Sequence, residues 1–321
     1  MLTGIVPRRD EPMSRDIRGG NGAALALLAY VSWGLLTLYW KAVAEFSPID
    51  LIGWRIVASL VVLVAVCAGT GTLSAVGDAL GGFRSLRVVA ATSLLLTINW
   101  STYVFAVVEG HVVETALGYF ISPIVTTVLG VVVLREHLSA LQRAAVVLGS
   151  AGLAVLTVAY GRMPWIAITI AGSWSAYGYL KNRTPLAPLE GLTAEVVVLF
   201  LPAIALIAVR WGAPDGVPAT ASPTDWLLVA LSGAVTAGPL LLFGAAAQRT
   251  PLTVLGPMQY LVPTINFFIG WLGFGEDVSR GKFVGFGLIW TCLALVLVGM
   301  VRDQRAITAS RVAKSSPPPP A

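Results

Sequence analysis

The chain has 321 residues, of which 56% are hydrophobic and 12% charged, against roughly 25% charged in an ordinary soluble domain. This balance excludes a water-soluble fold. The net charge of +5 does not point to nucleic acid, because the basic residues form no continuous face and sit at the ends of long apolar runs.

In chain order, residues 1–21 form a polar tail with Arg8, Arg9, Arg15 and Arg18. The tail resembles the start of a signal peptide, but the apolar run behind it is too long, so it reads as a retained first span. A bilayer core about 30 Å thick needs roughly 20 apolar residues of helix. Ten stretches approach that length: 22–43, 51–68, 86–108, 113–134, 142–160, 163–180, 189–209, 226–247, 252–274 and 282–301. They are continuous rather than alternating runs, so helices and not barrel strands satisfy their backbone groups. The expected fold is an all-α polytopic membrane protein of ten helices. Residues 302–321, with four prolines near the end, hold too little apolar content to pack.

Lysine and arginine set the orientation. With both ends cytoplasmic, that side holds the four basic residues of the first tail and Arg302, Arg305, Arg311 and Lys314 of the last. It also holds Arg84, Arg87, Arg135, Arg143, Lys181, Arg183 and Arg249, making 15 of 21 basic residues. The bias favours an even number of crossings in the cytoplasmic membrane.

A shift of 140 residues brings Pro123 onto Pro263, Gly130 onto Gly270, Glu136 onto Glu276 and Ser139 onto Ser279. Lys41 meets Lys181, Arg55 meets Glu195, and one residue further Trp33 meets Trp174. The matches divide the chain into halves at 22–160 and 161–301. Five is odd, so the halves enter the membrane from opposite faces, related by a pseudo-two-fold axis in its plane. Such a pair offers two near-equivalent packings, which is what alternating access requires. An old duplication kept for packing alone is the other reading.

Several segments read together: AYVSWGLLTLYWK at 29–41, NWSTYVFAV at 99–107, ETALGYFISPIVTTVLGVVVLREHLSALQ at 114–142, SAYGYLKN at 175–182, and GPLLLFGAAAQRTPLTVLGPMQYLVPTINF at 238–267. They resemble the RarD-type permeases of the EamA branch of the drug/metabolite transporter superfamily, over residues 22 to about 301. The resemblance implies two inverted repeats and the movement of small metabolites or drugs. Where such proteins usually carry a His-Arg pair early in the second span, this chain has Trp54 and Arg55, which puts proton handling there in doubt.

An ionisable residue inside a span costs about 2.5 to 3.5 kcal/mol on insertion scales, so it is a functional candidate. Arg55 lies about a turn inside span two, with Lys41 and Glu114 at neighbouring span ends; the expectation is that Arg55 pairs with Glu114 and engages an anionic substrate group. Snorkelling to the interface is the alternative. Glu195 holds the corresponding place in span seven, close to Lys181. It is the candidate for proton coupling, since an apolar span holds a carboxylate either paired or protonated; a fixed structural ion pair is the alternative.

Asn99, Trp100, Tyr103, Tyr119, Gln259, Tyr260 and Asn266 are candidates for a polar and aromatic substrate wall, extended by Trp33, Trp174 and Tyr177. Each ring alone fits core packing or interface anchoring equally well. Pro123 and Pro263 should kink their spans. Small-residue pairs at Gly281 and Gly285, and at Ala145 and Gly149, fit internal packing or a homodimer contact.

An enzyme lacks its motifs here: there is no H-E-x-x-H, G-x-S-x-G or phosphate loop, and His111 and His137 lie outside the spans. Cys67 and Cys292 each sit in an apolar run, so no disulfide framework, metal site or cofactor is expected. Glu136 reads as a capping or loop charge. A membrane-embedded enzyme and a non-transporting receptor or assembly factor remain the competing classes.

Overall fold

The computed structural model describes residues 19–108, 112–144, 146–148, 150–151 and 163–273, with positions 287, 290, 291, 294, 295, 298, 299 and 302. Among them regular structure is helical throughout. The first half holds α1 (Gly19–Ala42), α2 (Pro48–Thr70), α3 (Leu73–Gly81), α4 (Phe83–Val108) and α5 (Val112–Val132). The second holds α6 (Trp165–Arg183), α7 (Pro188–Arg210), α8 (Val217–Thr220), α9 (Pro223–Ala247), α10 (Leu252–Met258) and α11 (Leu261–Phe268), followed by a π-helical turn at Ile269–Gly273. The expected spans at 142–160 and 282–301, and both small-residue pairs, lie largely or wholly outside the described residues. The described positions within those two spans are helical.

Local chemistry sets the helix ends. Pro48 starts α2, where its missing N–H is not needed. Gly71 ends the helix at φ 72°, with its N–H donating to Ala68 and the Thr72 N–H reaching back to Cys67. Ser222 and Asp225 close a reciprocal capping box on α9.

Two elements depart from the expected spans. The connection before span three contains α3, which meets α4 at a 94° bend. Its Val76 and Ala79 pack on Cys67, Val89 and Ala194, so this is an amphipathic helix laid across one end of the bundle. Span nine is broken into α10 and α11 at Gln259 and Tyr260. Pro263 explains the break, since a proline ring clashes with the carbonyl four residues earlier, here that of Gln259. That carbonyl instead accepts from Val262 at 3.1 Å in a tighter turn. Pro123, by contrast, sits inside continuous α5.

The helix contacts respect an exchange of the two halves. α1 packs on α9 as α6 packs on α4; α5 packs on α6 as α11 packs on α1; α9 packs on α2 as α4 packs on α7. The α2–α7 and α5–α10 pairs map onto themselves. At the second, Gly256 permits a close crossing, because a Cβ there would stand 2.5 Å from Thr127 Oγ1 and 2.7 Å from the Pro123 carbonyl.

The core divides into two main clusters. One joins α1, α4, α6, α9 and α10 around Tyr30, Leu96, Tyr177, Phe243 and Leu255. The other joins α2, α7 and α9 around Leu63, Leu192, Val196 and Leu240. Large apolar side chains such as Leu28, Val61, Leu201 and Val209 face outward, as a lipid-contacting surface requires.

Candidate functional site

α2 and α7 run antiparallel, which orders the site along one axis. Asp50 of α2 accepts from Arg210 Nε at 3.0 Å at one end, and Cys67 meets Thr193 at 3.4 Å at the other. From Arg55 to Cys67 is about 18 Å of helix, so Arg55 and Glu195 belong to opposite ends.

The Glu195 end is sealed by polar contacts. Lys181 Nζ lies 2.5 Å from Glu195 Oε1, with the two side chains 3% and 2% exposed. The Tyr177 hydroxyl donates to Glu195 Oε2 at 3.2 Å, and Ser93 donates to its backbone carbonyl at 3.2 Å. Asn182 Nδ2 donates to the Ala247 carbonyl at 2.6 Å, tying α6 to the end of α9. Gln248 Nε2 donates to the Leu186 carbonyl at 2.6 Å. Glu136, beyond α5, accepts from the backbone N–H groups of Leu252 and Thr253 at 3.1 and 2.9 Å. A carboxylate from the first half thus caps the start of α10 in the second, where the helix dipole favours it.

The Arg55 end is built differently. The Arg55 guanidinium lies 4.3 Å from the Trp100 ring centroid and 5.6 Å from that of Trp40. Tyr119, Tyr103 and Tyr39 are its electrostatic neighbours. Its Nε is enclosed without a hydrogen-bond acceptor, and among the described residues Arg55 has no carboxylate partner. The side chain of Glu114, expected opposite it, lies outside the described residues; the neighbours observed are rings. Tyr103 and Tyr119 are 40% and 46% exposed with ring centroids 6.4 Å apart. Lys41 is exposed at the end of α1.

A cavity opens beside Arg55, with Ser59 and Thr236 as its other polar walls and Leu63, Val196 and Leu240 among its apolar ones. About 250 Å³ between its walls is free of atoms, but the space is narrow and admits about one water. In the surrounding loop, Asp50 also accepts from the Val217 N–H at 3.1 Å, and Arg210 donates to Asp215 at 2.9 Å. That bond holds the Asp215 carboxyl below the usual carboxylate range.

The remaining sequence candidates make contacts within the bundle. Trp33, Trp174 and Tyr177 pack with Tyr30 and Phe243, Trp33 and Trp174 at 5.2 Å and Trp174 and Phe243 at 4.9 Å. Asn99 Nδ2 donates to the Ile170 carbonyl and Ser173 Oγ, joining α4 to α6. Asn99 is therefore buried while Tyr103, one turn on, is exposed. Gln259 Nε2 donates to Thr126, which bonds Ser175. The Tyr260 hydroxyl donates to the Phe120 carbonyl, and Asn266 is half-buried in α11. Ser59, Thr236, Ser93 and the Thr126–Ser175 pair gave no sequence signal, because isolated hydroxyls are common in apolar helices.

The half-exchange pattern does not extend to every pair within the halves. α9 packs on α6 and α7, and α10 packs on α6, but the related pairs α4–α1, α4–α2 and α5–α1 make at most slight contact among the described residues. Among the described residues the two halves therefore pack unequally within themselves.

The EamA-like transporter family matches residues 20–158. Protein RarD of Streptomyces exfoliatus is 36% identical over 86% of this chain and 88% of its own length. The chain belongs to the EamA-like transporter family. An uncharacterized transporter of Bacillus subtilis, YojE, is 35% identical over 89% of this chain and 96% of its own. A solved crystal structure of 16% identity shares the fold at a TM-score of 0.67, covering 86% of this chain and 97% of that one. The protein is a multi-pass membrane transporter of RarD type.

Proposed function

We propose that the protein is a secondary-active permease of the cytoplasmic membrane, moving a small organic molecule by alternating access between residues 22–160 and 161–301. Both termini are cytoplasmic in this reading, and Lys181 and Glu195 are the proton-responsive pair. The observation that carries it is the unequal packing within two related halves: among the described residues α9 packs on α6 and α7, while α4 makes at most slight backbone contact with α1 and α2. Unequal packing of two symmetry-related halves is what a transporter caught in one of its two states presents.

Counterflow of labelled solutes into liposomes tests the permease reading, and a membrane enzyme would instead show turnover in detergent without a compartment. Uptake measured across pH tests the coupling: Glu195→Gln should flatten the dependence, and a full wild-type pH profile in that variant eliminates the role. Substituted cysteines at Arg84 and Arg162 should label from opposite faces of the bilayer. Labelling from one face breaks the inverted threading.

A further inference from the structure

Two buried charges of the described protein are matched by an opposite one. Lys181 faces Glu195, and Asp50 faces Arg210. Arg55 Nε and Glu190 Oε2 are enclosed without a partner, and how the donors of Arg55, the cation of the two, are spent indicates what it awaits. The planes of a guanidinium take rings, and its edge takes acceptors. Trp100 lies within cation–π distance of Arg55 and leaves the N–H donors unspent. Nε is enclosed and without an acceptor.

The cavity beside it has one cation and two hydroxyl residues, Ser59 and Thr236, and otherwise apolar walls. No acidic side chain lines it among the described residues. A ligand carrying an ammonium group would find no counter-charge there and would face Arg55 with a like charge. A carboxylate would complete the guanidinium fork and offset the cost of holding a lone cation in the membrane. The apolar walls suit a hydrocarbon or aromatic body.

We infer that the Arg55 cavity receives a small organic monoanion, a carboxylate on an apolar body, and rejects the zwitterion built on the same body. This rests on the permease reading and names its substrate class. The carboxylate takes the Nε edge of Arg55, with Ser59 and Thr236 beside it. The narrow space beside Arg55 requires α2 and α9 to part before the body enters.

Three probes share one skeleton and differ only in charge: 3-phenylpropionate, 3-phenylpropanamide and phenylalanine. Calorimetric titration of the purified full chain in detergent near neutral pH should show the acid binding about tenfold or more tightly than the other two. Arg55→Gln should lower affinity for the acid by a similar factor, and Arg55→Lys should recover part of it. An unchanged unfolding temperature and a monodisperse elution profile show that the variants are folded. The inference is overturned if the amide or phenylalanine binds as well as the acid, if Arg55→Gln binds the acid as the wild type does, or if none of the three binds. Exchange of the amide or phenylalanine across liposomes without the acid would overturn the anion assignment while leaving the permease reading intact.

Discussion

The two ends of the molecule solve the same problem in opposite ways. Sequence places Lys41 opposite Lys181 and Arg55 opposite Glu195, so both ends inherit charge inside apolar helices. At one end the charges cancel in a buried pair braced by Tyr177. At the other, Arg55 lies against tryptophan rings with Tyr103 and Tyr119 exposed nearby. A paired charge in a dry site resists separation. A cation held by rings keeps its donors free.

The largest test of this contrast is to orphan one partner of the closed pair. Glu195→Ala should destabilise the protein by roughly 3–5 kcal/mol, because it strands Lys181 in the interior; joint replacement by Lys181→Met and Glu195→Leu should fall near wild type. Thermal unfolding in detergent reads both, and a mild single variant would break the comparison. Next is the close crossing of α5 and α10. Gly256→Ala should cost about 1–3 kcal/mol by overpacking on Thr127 and Pro123, whereas Gly172→Ala, with open space at its Cβ, should be neutral or slightly stabilising.

Removing the carboxylate cap with Glu136→Ala should cost about 0.5–2 kcal/mol and raise the labelling rate of a cysteine placed at Thr253. Tyr177→Phe should cost about 1 kcal/mol through its lost bond to Glu195, and Tyr119→Phe no more than about 0.5 kcal/mol; equal costs would erase the contrast. The smallest effect concerns the loop at the Arg55 end. Arg210 makes Asp215 harder to protonate folded than unfolded, so their tie is present above the ordinary carboxylate range and fades as pH falls through the folded value. Asp215→Asn should remove that acid-side slope from the unfolding temperature.

Apolar runs made the described spans legible, since lipid leaves a helix little alternative. α3 escaped notice because nine residues broken by glycine and aspartate resemble a loop; only Val76 and Ala79, three apart, hint at its buried side. Pro263 announced a disturbance in span nine, but the two-residue turn at Gln259 and Tyr260 depends on how Val262 recaptures the Gln259 carbonyl. At the site, symmetry drew attention to Lys181 and Glu195 before either had a position. It could not sort the rings: Trp33, Trp100 and Trp174 all pack against both core clusters, yet of the three Trp100 lies over Arg55. Nor could it show that Arg55 would meet rings, because cation–π partners carry no sequence spacing.

The cap that Glu136 lends to α10 crosses the boundary between the halves. Neither half is self-sufficient, since the helix start at Leu252 takes its acceptor from the other repeat. A chain of five helices made alone would leave that start bare, and the remedy nearest to hand is a second copy threaded the other way. Splitting the gene between residues 160 and 161 should therefore yield two fragments that accumulate only when produced together.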